Sequence, residues 1–165
     1  MSTPAVGDVL ELRGGAPGHG GFVVARHDGR ATFVRGALPG ETVRAEVTEV
    51  KKSYARATTI EVLEPSPYRT AEACAAAAAG AGCCDLTFAT PQYQRELKGQ
   101  VLAELLVRFG GFPEGRFEPA VAPLDAGPVT GWRHRARLVA DDAGRLGQHA
   151  HRSDAVVAAP CAQLP

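Results

Sequence analysis

At 165 residues, with 45% hydrophobic and 22% charged positions, the chain suits one domain or two small ones and is too apolar for wholesale disorder. Its 18 basic and 18 acidic residues cancel, so any nucleic-acid contact has to rest on where charge is placed and not on an overall basic excess. Met1–Val24 holds no basic stretch followed by an apolar core, and the alanine tract Ala75–Ala79 is far too short to cross a bilayer. The expectation is a cytoplasmic protein with no membrane partner.

Residues 6 to 63 read as a series of short strands. Val6–Leu12 is the first, and the glycine-rich loop Gly14–Gly21, which contains His19, follows it. Phe22–His27 and Arg30–Arg35 flank Asp28-Gly29, a two-residue turn suited to a tight hairpin. Pro39-Gly40 makes a second turn, because proline presets φ and glycine accepts the positive φ of a type II turn. Val43, Ala45 and Val47 alternate with Arg44, Glu46 and Thr48, the pattern of a half-buried strand. Tyr54–Leu63 supplies a fifth, β-branched strand. Five short antiparallel strands bury one small core by curling into a barrel, so the expected class is β-rich α+β with a five-stranded OB-like barrel over residues 1–64.

A boundary is expected near Glu64, ahead of Pro65 and Pro67, leaving residues 65–165 as a small cysteine-containing α+β region. Within it, Thr90 can cap a helix, Pro91 fits its first turn and Gly110-Gly111 ends it. Leu97, Val101, Leu102, Leu105, Leu106 and Phe109 recur at helical spacing, giving the helix over 91–109 an apolar face that needs a partner. Asp125–Gly131 is a turn-rich link. Trp132–Ala140 and Arg145–Ala150 then read as a hairpin.

Three features carry candidate chemistry. Cys74, Cys83, Cys84 and Cys161 are the four cysteines; grouped thiolates hold zinc or an iron–sulfur cluster, whereas in a secreted protein the same count gives two disulfides. A cytoplasmic chain favours metal, with merely buried thiols as the bland alternative. Arg133, Arg135 and Arg137 alternate along the expected strand, which sets them on one face about 7 Å apart, near the phosphate spacing of a nucleic-acid strand, with Trp132 and His134 facing the other way. On the barrel, Arg26, Arg30, Arg35, Lys51, Lys52 and Arg56 are candidates for backbone contacts. Phe22, Phe33 and Tyr54 are the available aromatic platforms, and at least two of them are expected in the core of so small a barrel. His149 and His151 form a His-x-His pair whose ordinary role is a loop.

Gly36-Ala37-Leu38-Pro39-Gly40-Glu41, after the hairpin holding Asp28-Gly29-Arg30, resembles the TRAM domain, a small OB-like RNA-binding barrel. Ser66-Pro67-Tyr68-Arg69, the cysteine segment and Tyr93-Gln94-Arg95-Glu96-Leu97-Lys98 resemble the uridine-5 RNA methyltransferases. Trp132–Arg137, Arg152-Ser153 and Pro160-Cys161 continue that likeness in order. The resemblance implies an RNA-binding front portion of an S-adenosylmethionine-dependent enzyme acting on rRNA or tRNA. In that family a C-terminal domain binds the methyl donor and carries a cysteine nucleophile, neither of which is expected in this stretch. It also implies a [4Fe–4S] cluster held through Cys-x5-Cys-x2-Cys and a distant fourth ligand. This chain departs from that spacing: matching Cys84 to the third ligand places Ala81 where the second belongs. A further implication is that the helix over 91–109 packs on the methyltransferase domain, so that without it the apolar face is partly exposed and open to self-association. A stand-alone RNA-binding module and a metal-binding structural or redox protein are the competing readings.

Overall fold

The computed structural model describes residues 3–123 and 129–165. The chain divides into two compact units, one of Met1–Arg69 with Gln92–Val121 and one of Thr70–Pro91 with Ala122–Pro165.

The first unit is built on a six-stranded sheet. Its strands are β1 (Val9–Arg13), β2 (Pro17–Gly18), β3 (Phe22–His27), β4 (Arg30–Arg35), β5 (Thr42–Val50) and β6 (Tyr54–Glu64). Their order is β1-β5-β6-β4-β3-β2, and every pair is antiparallel except β4 with β6. Asp28 and Gly29 both take positive φ, 48° and 80°, which is the two-residue turn that the twist of a hairpin selects. Gly40 follows Pro39 at φ 85° as expected.

The expected alternation is present in β5, where Val43, Ala45 and Val47 are buried and Arg44, Glu46 and Thr48 are exposed. Register shifts between Thr42 and Val43, Arg44 and Ala45, and Val47 and Glu49 bend the long β5–β6 hairpin. The two edges of the sheet, β1 and β2, are consecutive pieces of chain joined by Gly14–Ala16. Gly14 donates to the Glu41 carbonyl at 2.8 Å and Gly15 to the Val24 carbonyl at 2.9 Å. A Cβ on Gly14 would stand 2.6 Å from the Leu38 carbonyl oxygen, so only glycine allows the chain to turn this corner.

Three expectations are corrected here. The five-stranded closed barrel is a six-stranded curled sheet, in which no strand ladder joins β1 to β3 among the described residues. The first strand is Val9–Arg13 and not Val6–Leu12, because Val6 and Gly7 form a turn held by the Gly7 N–H on the Val47 carbonyl. The glycine-rich loop contains β2, whose Gly18 pairs with Phe22 and leaves room for its ring. The core is small: Leu12, Val23, Ala25, Val34, Ala37, Val43, Ala45 and Ala57, with Leu10 and Val62 packed against it.

Helix α2 (Pro91–Arg108) stops one residue short of the expected span. Gly111 follows at φ 68°, and the Phe112 N–H returns to the Leu106 carbonyl at 3.3 Å, closing the end in the left-handed manner that glycine permits. Leu97 and Gly99 are its buried residues. Gly99 lets the returning chain pass close by, since a Cβ there would meet the Pro119 carbonyl oxygen at 2.5 Å. The rest of the apolar face is partly exposed, with Leu102 and Phe109 open to solvent.

The second unit contains α1 (Ala75–Ala78) and a three-stranded sheet of β7 (Val139–Ala140), β8 (Leu146–His149) and β9 (Val156–Val157) in the order β7-β8-β9. The strand expected over Trp132–Ala140 shrinks to Val139–Ala140, and the hairpin gains a third strand. Two main-chain bonds, Gly131 N–H to the Ala162 carbonyl and Arg133 N–H to the Gln163 carbonyl, both 2.8 Å, occupy the 131–133 backbone with the C-terminal segment instead. Asp141 organises the β7–β8 turn by accepting from the Ala143 and Arg145 N–H groups and pairing with the Arg145 guanidinium at 2.7 Å. Of the turn-rich link at Asp125–Gly131, residues 125–128 lie outside the described residues. No helix among the described residues is long and apolar enough to cross a membrane.

Candidate nucleic-acid interface and metal centre

Strand parity decides which side chains the sheet presents. In β3, β4 and β6 the residues Val23, Ala25, Thr32, Val34, Ala55 and Ala57 turn into the core. Their neighbours Phe22, Phe33, Arg35, Tyr54 and Arg56 therefore share the outer face and are half-buried. Cross-strand pairing brings Phe22 opposite Arg35 and Phe33 opposite Arg56.

The rings form one cluster. Phe22 and Phe33 meet edge to face with centroids 4.8 Å apart, and Phe33 meets Tyr54 the same way at 5.3 Å. The Arg56 guanidinium lies over all three, 5.8 Å from the Phe22 centroid and 5.4 Å from those of Phe33 and Tyr54. Glu49 holds Arg56 in place at 3.1 Å and reaches Lys51 at 2.9 Å. This corrects the expectation that at least two of the three aromatics fill the core. Valine and alanine fill it, and the rings stand outside.

The other candidate cations of this unit sit on or beside the same strands. Arg26 is exposed at the end of β3 and bonds the Gly29 carbonyl at 3.3 Å. Arg30 donates to the Lys51 and Lys52 carbonyls at 2.6 and 3.2 Å, so its guanidinium shapes the turn that displays those two exposed lysines. Arg133, Arg135 and Arg137 belong to the second unit, and all three are exposed. They lie on a segment outside any strand, so the regular one-faced ridge is corrected. Arg133 stacks over the Trp132 ring at 5.3 Å instead of facing away from it.

Beneath the sheet lies a pair that sequence reasoning missed. Glu41 is fully buried and accepts from Leu38 N–H at 2.7 Å and Ser66 N–H at 3.0 Å. Arg69 grips both its oxygens, Nε to Oε1 at 2.6 Å and a terminal nitrogen to Oε2 at 2.7 Å, and also reaches the Gly36 carbonyl at 2.8 Å. Burial pushes the Glu41 carboxyl upward, but the Arg69 guanidinium and the Ser66 and Leu38 N–H groups outweigh it and leave the pKa below 4.5. The pair ties the turn over 36–41 to the segment over 66–69. Its signal in the sequence is a carboxylate directly after Pro39-Gly40, where a turn needs its N–H groups satisfied.

In the second unit the sulfurs of Cys74, Cys84 and Cys161 all lie within 4.8 Å of one another. Cys74 and Cys84 are buried, Cys161 and Cys83 half-buried, and none is in a disulfide. Ala76, Ala81, Val157, Ala159 and Ala162 wrap the group. Burial opposes ionisation of Cys74, yet the N–H groups of Ala162, Ala77 and Ala76 and the Cys161 thiol hold its pKa below 9.0. Burial and the neighbouring Cys83 thiol push Cys84 upward. Burial raises Cys83 as well, and its side chain interacts with those of Cys84 and Cys161. His149 and His151 are not members of the group, and the His149 Nδ1 faces the Asp154 carbonyl at 3.3 Å.

The donor set fits a thiophilic metal but not the cluster that the resemblance implies. In a cubane each thiolate binds a different iron, so two metal–sulfur bonds and an iron–iron edge separate any two ligand sulfurs. Sulfurs within 4.8 Å of one another are too close for that, and the place of the second cluster ligand holds the buried methyl of Ala81.

Comparison with known proteins gives this geometry a setting. The TRAM domain family matches residues 5–60, the stretch that forms the curled sheet and its aromatic face. Over 96% of this chain, an uncharacterized RNA methyltransferase of Corynebacterium efficiens is 42% identical, and the match covers 37% of that protein. The chain matches the N-terminal portion of an RNA methyltransferase family. A Streptomyces coelicolor protein, also named an uncharacterized RNA methyltransferase, is 41% identical over 90% of this chain and 35% of its own length. The 23S rRNA (uracil(1939)-C(5))-methyltransferase RlmD of Alkalilimnicola ehrlichii is 42% identical over 78% of this chain and 28% of its own length. The chain thus spans only 28–37% of the length of these relatives.

Proposed function

We propose that this chain is the RNA-gripping portion of an S-adenosylmethionine-dependent uracil-C5 RNA methyltransferase acting on rRNA, with methyl transfer residing in sequence beyond it. Residues 1–64 serve as the binding module, a barrel in function if not in closed strand pairing, and residues 65–165 lead into the body of a cytoplasmic enzyme. The observation that carries this reading is the Phe22–Phe33–Tyr54 cluster under Arg56, on the face of a TRAM domain.

Magnitudes favour stacking over charge as the main source of affinity. Base-on-aromatic stacking is worth about 1–3 kcal/mol per base, and every base has a face to offer. An exposed lysine beside a phosphate is screened within about 8–10 Å at physiological salt, and the chain as a whole carries no net charge. The cations set the path of the strand: Arg35 and Arg56 beside the rings, with Arg26, Lys51 and Lys52 around them. Single-stranded loops, whose bases splay out, are the RNA form this face suits. The open side of α2 at Leu102 and Phe109 is the docking face for the rest of the enzyme or, when the chain is alone, for another copy.

A salt-dependent binding titration against a single-stranded ribosomal RNA fragment, a transfer RNA and a duplex control tests the reading. The single-stranded loop is expected to bind most tightly. Equal affinity for all three would refute it. In the same assay, replacing Arg133 and Arg135 with alanine is expected to weaken binding and to lower the salt slope by about one for each phosphate no longer neutralised. Unchanged affinity and slope would remove that segment from the RNA path.

A further inference from the structure

We propose that Cys74, Cys83, Cys84 and Cys161 hold a single zinc ion in a four-thiolate site, in place of an iron–sulfur cluster. The first support is distance. Metal–sulfur bonds of about 2.3 Å in a tetrahedron put ligand sulfurs about 3.8 Å apart. Cys74, Cys84 and Cys161 already lie within 4.8 Å of one another, so closing on one ion requires side-chain adjustment of about 1 Å at most.

The second support is the route of the chain. Gly82 and Cys83 occupy a turn, which frees Cys83 and Cys84 from the opposed directions of an extended pair. The turn is fixed on both sides: Ala81 N–H bonds the Ala76 carbonyl at 2.9 Å, and Gly82 N–H bonds the His149 carbonyl at 2.8 Å. Gly82 is closely packed, since a Cβ there would stand 3.1 Å from His151 Cα. Cys83 stands outside the close trio of sulfurs and, half-buried beside Cys84 on this turn, is the thiol left to supply the fourth ligand.

The third support is the outer shell. Ala162 N–H points at the Cys74 sulfur at 3.4 Å, and the Gln163 side-chain amide donates to the Cys84 sulfur at 3.2 Å. Donors aimed at sulfur stabilise the thiolate form that a metal needs. No carboxylate or imidazole joins the group among the described residues, and an all-sulfur tetrahedron selects zinc over magnesium or calcium. Such an ion staples residues 74–84 to the C-terminal segment at Cys161, giving a unit with only short strands a fixed centre.

The test uses the whole chain, purified anaerobically without chelators. Elemental analysis is expected to give about one zinc per chain and a colourless protein. Exchange into cobalt is expected to give the intense visible bands of four-coordinate cobalt with sulfur-to-metal charge transfer, and all four thiols should resist alkylation until metal is removed. Cys83→Ser should shift that cobalt spectrum while the protein stays folded by circular dichroism. About four irons per chain with a brown colour would overturn the proposal. So would a metal-free protein that takes up neither ion and whose thiols alkylate freely. RNA affinity is read separately, so failure here leaves the binding reading standing.

Discussion

Replacing Glu41 with alanine is expected to destabilise the first unit by about 3–5 kcal/mol, a large part of the stability of a small domain. The change leaves the half-buried Arg69 guanidinium without its carboxylate and strands the Leu38 and Ser66 N–H groups. Arg69→Ala should be comparably harmful, because it leaves a fully buried carboxylate unpaired. Urea unfolding followed by circular dichroism measures both. The pH dependence has a definite sign. The Glu41 pKa is lower in the folded state than its ordinary value of 4.5, so its contribution is present above that value. It is lost as pH falls below 4.5 through the folded-state pKa. Wild-type stability should therefore drop more steeply on acidification than that of Glu41→Gln, and parallel curves would show that the pair contributes no linkage.

The second large effect is on binding. Phe33→Ala removes the ring that touches both Phe22 and Tyr54 and lies under Arg56. At about 1–3 kcal/mol for one stacked base, the loss of affinity for single-stranded RNA is about 5- to 160-fold. The fold should survive, because Phe33 is outside the core of valines and alanines. Arg44→Ala is the matched control: Arg44 is exposed and paired with Glu61 at 2.8 Å instead of stacking on the rings, so affinity should hardly change. A Phe33→Ala protein that binds as the wild type does would place the RNA elsewhere.

Period-two alternation makes most of the sheet legible in the amino-acid sequence. The Asp28-Gly29 and Pro39-Gly40 turns and the Val43, Ala45, Val47 series appear where that pattern puts them. The same rule also locates the aromatics. Phe33 has the parity of Arg35, and Tyr54 that of Arg56, so a strand cannot bury the rings while exposing the arginines. The expectation that the rings fill the core gives side-chain size more weight than parity. The arginine segment fails for a different reason. Arg133, Arg135 and Arg137 alternate as a strand would, but the 131–133 backbone bonds to Ala162 and Gln163, a partner some thirty residues away that local pattern does not reveal. The Glu41–Arg69 pair is hidden in the same way, as two residues 28 apart that turns bring together. Of the cysteines, the sequence supplies the grouping. Only the fold shows which sulfurs approach and that Ala81 lies buried beside them.

The central claim is that RNA lies on the outer face of β3, β4 and β6. Its most direct test is photocrosslinking of a single-stranded RNA carrying 4-thiouridine to the whole chain, with the attached residues mapped by mass spectrometry. Crosslinks are expected at Phe22, Phe33 or Tyr54, with further attachment near Lys51 and Lys52. Efficient crosslinking that maps entirely outside β3, β4, β6 and the β5–β6 turn would contradict it.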